Sequence, residues 1–379
     1  MNLIHRHIFT NVVLTCGAAV GLFAFVLMIG NALKDIIPLI LSGQLSLTVS
    51  AKLILLLIPY VVVYALPMGI LTGVLLVLGR MSSDREIIAL RASGVSVAWL
   101  SAPILFFALC GVAVAAFVNL QFMPLARVAY QRELAEEVRA NPLNFIVPKT
   151  FIRDFPGIVI YAGEKDGAEL NDLWLWELDE QKRVRRFGRA ESGVITLDEE
   201  ASKLSLTVQR AQMEVRNDAD PENFSAEMGT PGMDEATFDL PLTKLTGEQV
   251  VKRKLKWMTF SQLLDEWRRL GVPSPEIDNA QREYERMRVQ VVFHEKLAMA
   301  FAVLSFALVA IPLGIKASRK ETSANLGIGV GLFLSYYFVT IVAGWFDNRP
   351  SFRPDLLMWL PNLGFQALGL WMFYKVDRK

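Results

Sequence analysis

The chain has 379 residues, 53% hydrophobic and 20% charged, where globular chains average roughly 45–50% apolar and 25% charged. Its net charge of +1 averages two unlike materials: Leu125 to Gln290 carries 24 basic and 30 acidic side chains, and the rest of the chain 15 and 8. This excludes a single soluble domain, intrinsic disorder, which needs low hydrophobicity, and a basic nucleic-acid binder, because no soluble stretch has a strong positive excess.

Crossing about 30 Å of hydrocarbon takes roughly 20 mostly apolar residues. The first such run is Asn11–Leu33. Its apolar core is longer than the roughly 7–15 residues of a cleaved signal peptide, and it continues well past the lipoprotein-like Leu14-Thr15-Cys16. Lys34 closes it. Leu53–Leu78 and Val97–Phe122 follow. Between them lies Gly79-Arg-Met-Ser-Ser-Asp-Arg-Glu-Ile-Ile-Ala-Leu-Arg-Ala-Ser-Gly94. Ser83-x-x-Glu86 fits a capping box and Gly94 a helix end, which predicts a short helix over 83–94. Ile87, Ile88 and Leu90 are its apolar contacts; Asp84, Arg85, Glu86 and Arg91 are its polar positions. It reads either as an interfacial helix on lipid headgroups or as a plug in a groove of a cytoplasmic motor.

After Pro142 the period changes. Phe145-Ile-Val-Pro148, Gly157–Tyr161, Asp172–Glu177, Gly193–Leu197 and Lys203–Val208 are β-favouring runs, separated by turn signals at Lys165-Asp166-Gly167, Asn171-Asp172 and Glu191-Ser192-Gly193. That spacing predicts a sandwich or jelly roll. Leu173 and Leu175 alternate with Trp174 and Trp176, so this strand is apolar on both faces; it is either buried on both sides or open to an apolar guest on one. Asn217–Gly232 reads as a loop. Phe260–Leu270 reads as a helix capped by Thr259 and stopped at Gly271-Val-Pro273, and Asp278–Arg288 as a helix running into the fourth span.

The last three spans are Val291–Ile315, Leu326–Phe346 and Leu356–Tyr374. The expected fold is an α-helical membrane protein with six transmembrane helices (3+3) and an inserted all-β, jelly-roll-like domain, divided as 1–124, 125–275 and 276–379. Lys and Arg in short loops set orientation. Arg6, Arg80, Arg85, Arg91, Lys316, Arg319, Lys320, Lys375, Arg378 and Lys379 lie on one side, against Lys34, Lys52, Arg349 and Arg353 on the other. Both termini are therefore expected in the cytoplasm and the insert outside.

His294-Glu295 lacks the second histidine, four residues after the first, that zinc proteases need, since position 298 is Ala. No phosphate-binding glycine loop occurs, and His294 is the only histidine expected outside. No metal, cofactor or catalytic set is assigned to this chain. Gly17/Gly21, Gly69/Gly73 and Gly327/Gly331 let helices approach closely, for ordinary packing or for a contact that separates easily. Pro59, Pro67, Pro103, Pro312 and Pro361 are expected kinks. Lys34 and Lys296 either snorkel to the interface or pair with lipid phosphates.

With these spans, Ser83-Asp-Arg-Glu-Ile-Ile-Ala-Leu-Arg-Ala-Ser-Gly-Val-Ser96, Ala140-Asn-Pro142, Ile311-Pro-Leu-Gly314 and Trp359-Leu-Pro-Asn362, the chain resembles the LptF/LptG (YjgP/YjgQ) permease family, with an LptF-like entry to the β-domain. The resemblance implies half of a lipopolysaccharide exporter in the bacterial inner membrane. Its partners would be a paralogous six-span LptG- or LptF-like subunit, an LptB-like ATPase dimer that uses ATP and Mg, and an LptC/LptA-like periplasmic bridge. It implies that Glu86 lies in a coupling helix facing the ATPase, that Lys34 lies near lipid phosphates, and that Gly17/Gly21 and Gly327/Gly331 lie on gate helices. Two rival readings remain from the residues: a membrane sensor or scaffold with a ligand-binding outer β-domain, and a lipid-modifying enzyme.

Overall fold

The computed structural model describes residues 3–141, 144, 146–152, 157–179, 181, 183–198, 203–216, 232–241, 254–272, 278–316, 322–346 and 352–378. Outside them fall most of the loop expected at 217–232, Pro142, Phe145, Pro273, Arg319, Lys320, Arg349 and Lys379. The chain divides into two compact units, one of Met1–Ala32, Ile54–Val128 and Lys254–Lys379, the other of Leu33–Leu53 and Ala129–Arg253.

Described in chain order, the helices are α1 (Leu3–Asp35), α2 (Ile37–Leu41), α3 (Leu47–Ser83), α4 (Glu86–Ala92), α5 (Val97–Phe117), which passes through a π-turn (Val118–Phe122) into α6 (Met123–Ala140), α7 (Phe260–Arg269), α8 (Asn279–Lys316), α9 (Thr322–Gly344), α10 (Pro354–Leu357) and α11 (Leu360–Asp377). Six helical stretches among the described residues are long and apolar enough to cross a membrane, three before and three after the strands. The helix of the third stretch continues to Ala140, while the division between the units falls after Val128, and residues from Lys254 onward cluster with the helical unit.

Burial separates the spans into centre and rim. Two-thirds of the apolar window of α3 and of α8 is buried within the chain, against 11% for α1 and 17% for α9. The core is a seam of small and branched side chains, among them Val74, Leu78, Ile104, Ala300, Val303, Ala307 and Ile311, around Phe306. Glycines permit it. A Cβ built on Gly314 would stand 2.7 Å from Leu78 Cβ, and one on Gly369 2.8 Å from the Leu308 carbonyl carbon. Pro59, Pro67, Pro103 and Pro312 lie inside helices. Pro361 instead opens α11, where its missing N–H costs nothing.

One buried polar knot ties α8, α9 and α11. Asn362, fully buried, accepts from Ser305 Oγ (2.8 Å) and Tyr336 Oη (3.1 Å) and donates to the Ala298 carbonyl (2.8 Å). Losing the three bonds of Asn362 is costly in an apolar interior, although Ser305 keeps the Phe301 carbonyl and Tyr336 the Ala298 carbonyl, so Asn362→Ala should cost about 1–3 kcal/mol. A thermal scan in detergent checks this; an unchanged melting temperature would show that the knot does not hold the three helices.

The strands are β1 (Phe151–Ile152), β2 (Ile158–Asp166), β3 (Glu169–Leu178), β4 (Val184–Asp198), β5 (Lys203–Val215) and β6 (Gly232–Pro241). They form one antiparallel sheet in the order β1 to β6, each strand paired with its neighbour in sequence. A jelly roll interleaves the strands of two sheets; the described strands are a meander. Ile146 and Val147 are not in a strand, although Ile146 is buried in the core under the sheet. The β6 strand had no counterpart among the sequence expectations.

Two of the expected turns are not turns. Asn171-Asp172 lies inside β3 and Glu191-Ser192-Gly193 inside β4. There the ladder skips one rung at the same level on successive strands, at Gly163, Asp172, Glu191, Arg210 and Asp234. Asp172 and Arg210 take positive φ (50° and 52°). Residues buried on one face are therefore three apart across this line, as in Leu170/Leu173, Ala190/Gly193 and Val208/Ala211, instead of two. Such irregularities bend and twist a strand; aligned, they crease the sheet while one face stays apolar. The Arg210–Glu191 (2.8 Å) and Arg189–Asp172 (3.2 Å) pairs flank the crease. Gly193 sits where a Cβ would meet Leu173 Cδ1 at 2.5 Å.

The two faces of β3 differ accordingly. Leu173 and Leu175 are buried in the core of the sheet. Trp174 and Trp176, on the other face, form a half-buried aromatic cluster with Phe187, and Arg189 stacks over Trp174 at 4.9 Å.

Candidate functional site

The short segment between α3 and α5 differs from the sequence expectation at its start. Ser83 ends α3 instead of capping the next helix. The apolar register of α3 carries it onward, with Leu78 and Met81 buried. Ser82 Oγ then donates across to the Ile315 carbonyl at the end of α8 (2.9 Å). The chain turns at Asp84-Arg85, with Arg85 left-handed (φ 63°) and making no side-chain cap. The capping box is thus absent, and the helix is Glu86–Ala92. Its end follows expectation: Gly94 has φ +87°, a conformation disfavoured for side chains with a Cβ, and α5 is capped by Ser96, whose hydroxyl accepts from Trp99 N–H (3.2 Å).

Helix α4 is held by one side. Ile87 is 2% exposed within the helical core, and Leu90 packs partly against it. Glu86, Asp84, Arg85 and Ile88 are exposed, Ile88 by 63%, and Arg91 is half-buried. The Arg80–Asp84 pair (3.8 Å) is exposed on both sides, so it adds little stability. Nearby, His5 Nε2 donates to the Trp99 carbonyl (3.0 Å) with the two rings 3.8 Å apart. The exposed edge of α4 therefore rests, through Ile87, on helices cross-tied to one another at this end.

Lys34 is exposed in the last turn of α1, with no ion-pair or hydrogen-bond partner among the described residues. Lys296 does not snorkel. It is 5% exposed, and its Nζ donates to the Met258 carbonyl (3.0 Å) and the Asn119 carbonyl (3.4 Å). Asn119, buried in the π-turn, returns a bond from Nδ2 to the Lys296 carbonyl (2.8 Å). A π-turn inside an α-helix often marks a functional position; here it seats Asn119 against α8. Sequence reasoning singled out Lys296 but missed its partner Asn119, whose only local signal is a lone polar residue in an apolar run.

The glycine pairs separate cleanly. A Cβ on Gly73 would stand 2.5 Å from Cys16 Sγ and 2.7 Å from Cys16 Cα, and one on Gly69 2.6 Å from the Val20 nitrogen. That pair seats α1 on α3. Gly17, Gly21, Gly327 and Gly331 meet nothing within 4 Å. Around them α1 exposes Leu14, Leu22, Phe25 and Val26, and α9 exposes Ile328, Val330 and Leu334. His294 Nδ1 accepts from Trp359 Nε1 (3.0 Å).

Six apolar helical stretches, three before and three after the strands along the chain, with a small helix seated on the helical core, define a multi-pass membrane protein. The chain belongs to the LptF/LptG family: the sequence model described as lipopolysaccharide export system permease LptF/LptG matches residues 6–375. It is similar to the lipopolysaccharide export system permease protein LptF of Escherichia coli (strain K12), with 22% identity over 335 residues, covering 87% of this chain and 83% of that protein. The LptF protein of Shigella flexneri matches with the same figures.

Proposed function

We propose that this chain is the half of the exporter that LptF supplies, extracting lipopolysaccharide from the outer leaflet of the inner membrane and passing it along the apolar face of the β unit to an LptC/LptA-like periplasmic bridge. A separate LptB-like ATPase dimer, using ATP and Mg, drives it, and an LptG-like subunit completes the cavity. The ten-to-four distribution of basic residues supports cytoplasmic termini and a periplasmic β unit. The open glycine faces of α1 and α9 are the surfaces that meet the paralogous subunit, and the exposed Lys34 meets lipid phosphates. The ammonium of Lys296 is committed to two carbonyls.

The observation that carries this reading is the attachment of α4: Ile87 is anchored in the core while Glu86 and Ile88 are exposed. A motor gripping the exposed edge moves α3 and α5 with it. Nucleotide shifts the bundle only by binding its two states unequally, and a rigid seat transmits that difference. Glu86→Ala should lower ATP-driven lipopolysaccharide release at least about fivefold, about 1 kcal/mol of coupling, with subunit association unchanged. Release equal to the parent would remove Glu86 from coupling. In the same reconstituted system Lys34→Asp should weaken lipid crosslinking near α1; undiminished crosslinking would remove the phosphate role. Absence of any ATP-dependent release would favour the sensor or scaffold alternative.

A further inference from the structure

A cavity of about 300 Å³ lies between α7 and the outer part of α8, walled by Phe260, Leu263, Leu264, Trp267, Val289 and Phe293. Its walls follow from sequence. Thr259 and Gln262 cap α7 reciprocally, which fixes the register that turns Leu263 and Leu270 onto Val289 and Val292. Leu264 and Trp267 then face the cavity. On α8 the cavity-side residues Val289, Gln290 and Phe293 continue at helical spacing from Arg282 and Arg286. That face is cationic at one end and apolar toward the span.

Gln290, whose amide both donates and accepts, and His294 also line this cavity, and three further donors stand at its Trp267 side. Among the described residues, Trp267 Nε1, Arg286 Nε and Arg282 Nη1 are buried with no hydrogen-bond partner, and the Arg286 guanidinium lies over the Trp267 ring at 4.4 Å. The neighbouring carboxylate Glu266 is held by Arg269 (2.5 Å), and Glu295 by Lys256 (3.0 Å). A buried donor left unpaired is costly, and buried cations need an acceptor or an anion. A ligand that removes all three penalties carries an oxyanion at one end and hydrocarbon at the other.

We propose that this cavity is a binding site for an anionic membrane phospholipid. Its phosphate accepts from Arg282, Arg286 and Trp267, and one acyl chain lies against Leu264 and Phe293. Guanidinium forks suit phosphate oxygens. A cavity of about 150 Å³ admits one benzene, so this one takes a length of a single acyl chain. The bound phospholipid wedges α7 against α8, apart from the glycine faces of α1 and α9.

The test is native mass spectrometry of the full-length protein in detergent, incubated with equal amounts of phosphatidylglycerol and phosphatidylcholine of identical chains. The wild type should retain phosphatidylglycerol over phosphatidylcholine by about tenfold or more, about 1.4 kcal/mol. The double variant Arg282→Gln/Arg286→Gln should lose that preference. Leu264→Trp, which fills the cavity and leaves both arginines, should lose retention of both lipids; it carries the test if the double variant does not fold. Equal retention of the two lipids by the wild type, or unaltered retention by Leu264→Trp, overturns the site. Displacement of phosphatidylglycerol by the lipid anchor of lipopolysaccharide overturns the choice of occupant.

Discussion

Gly73→Leu should release α1 from the bundle, while leucine at Gly17, Gly21, Gly327 or Gly331 leaves the isolated chain folded. At Gly73 the added atoms would run into Cys16, with Sγ at 2.5 Å and Cα at 2.7 Å from the first of them. Backbone cannot yield as a flexible side chain does, so the cost exceeds the usual overpacking penalty of about 1–3 kcal/mol. The helix has little else to resist with: its buried residues are Ile8, Val12, Cys16, Ala19 and Ala32. Cys16 is itself the reporter, because it is buried and Cys110, the other free thiol, is exposed. In a Cys110→Ser background, a fluorogenic maleimide should label Cys16 at least about tenfold faster in Gly73→Leu than in the parent. Equal rates would mean that the glycine contact does not seat α1. Leucine at the open glycines should keep Cys16 protected and instead break co-purification with the paralogous subunit; intact co-purification would remove those faces from the interface.

The second large effect is expected at Lys296. Its ammonium donates to the Met258 and Asn119 carbonyls, so Lys296→Glu would place an acceptor against two acceptors and bury a charge without a partner. Broken buried ionic contacts cost about 3–5 kcal/mol. Lys296→Met keeps the apolar stem and loses only the donors, and should cost roughly half as much. Melting in detergent ranks the two: Glu far below Met, and Met below the parent. Were Glu to melt with the parent, Lys296 would have to be exposed in solution, and the snorkelling geometry would return.

The glycine pairs illustrate how little spacing by itself says about partners. All three pairs repeat every four residues, yet Gly69/Gly73 is filled by α1 while the other two are open. Likewise Ser83-x-x-Glu86 satisfies a capping pattern, but the buried apolar register of α3 extends the helix through Ser83 and uses the cap position for its own last turn. In the sheet, Asn171-Asp172 and Glu191-Ser192-Gly193 are honest signals of irregular backbone. Whether such a signal becomes a turn or a crease depends on the neighbouring strands, which here break at the same level.

The sequence by itself determined the six spans, the strand-rich insert, the cap at Thr259 and the left-handed Gly94. Each of these follows from hydrophobic run length, period or local backbone sterics, which a few consecutive residues decide. Only the tertiary structure decided which glycines are filled, that Lys296 is buried on carbonyls, that Asn362 knots three helices, and that unpaired donors collect beside the α7–α8 cavity. Those outcomes depend on residues far apart in the chain arriving at one place, and no local pattern encodes which neighbour arrives.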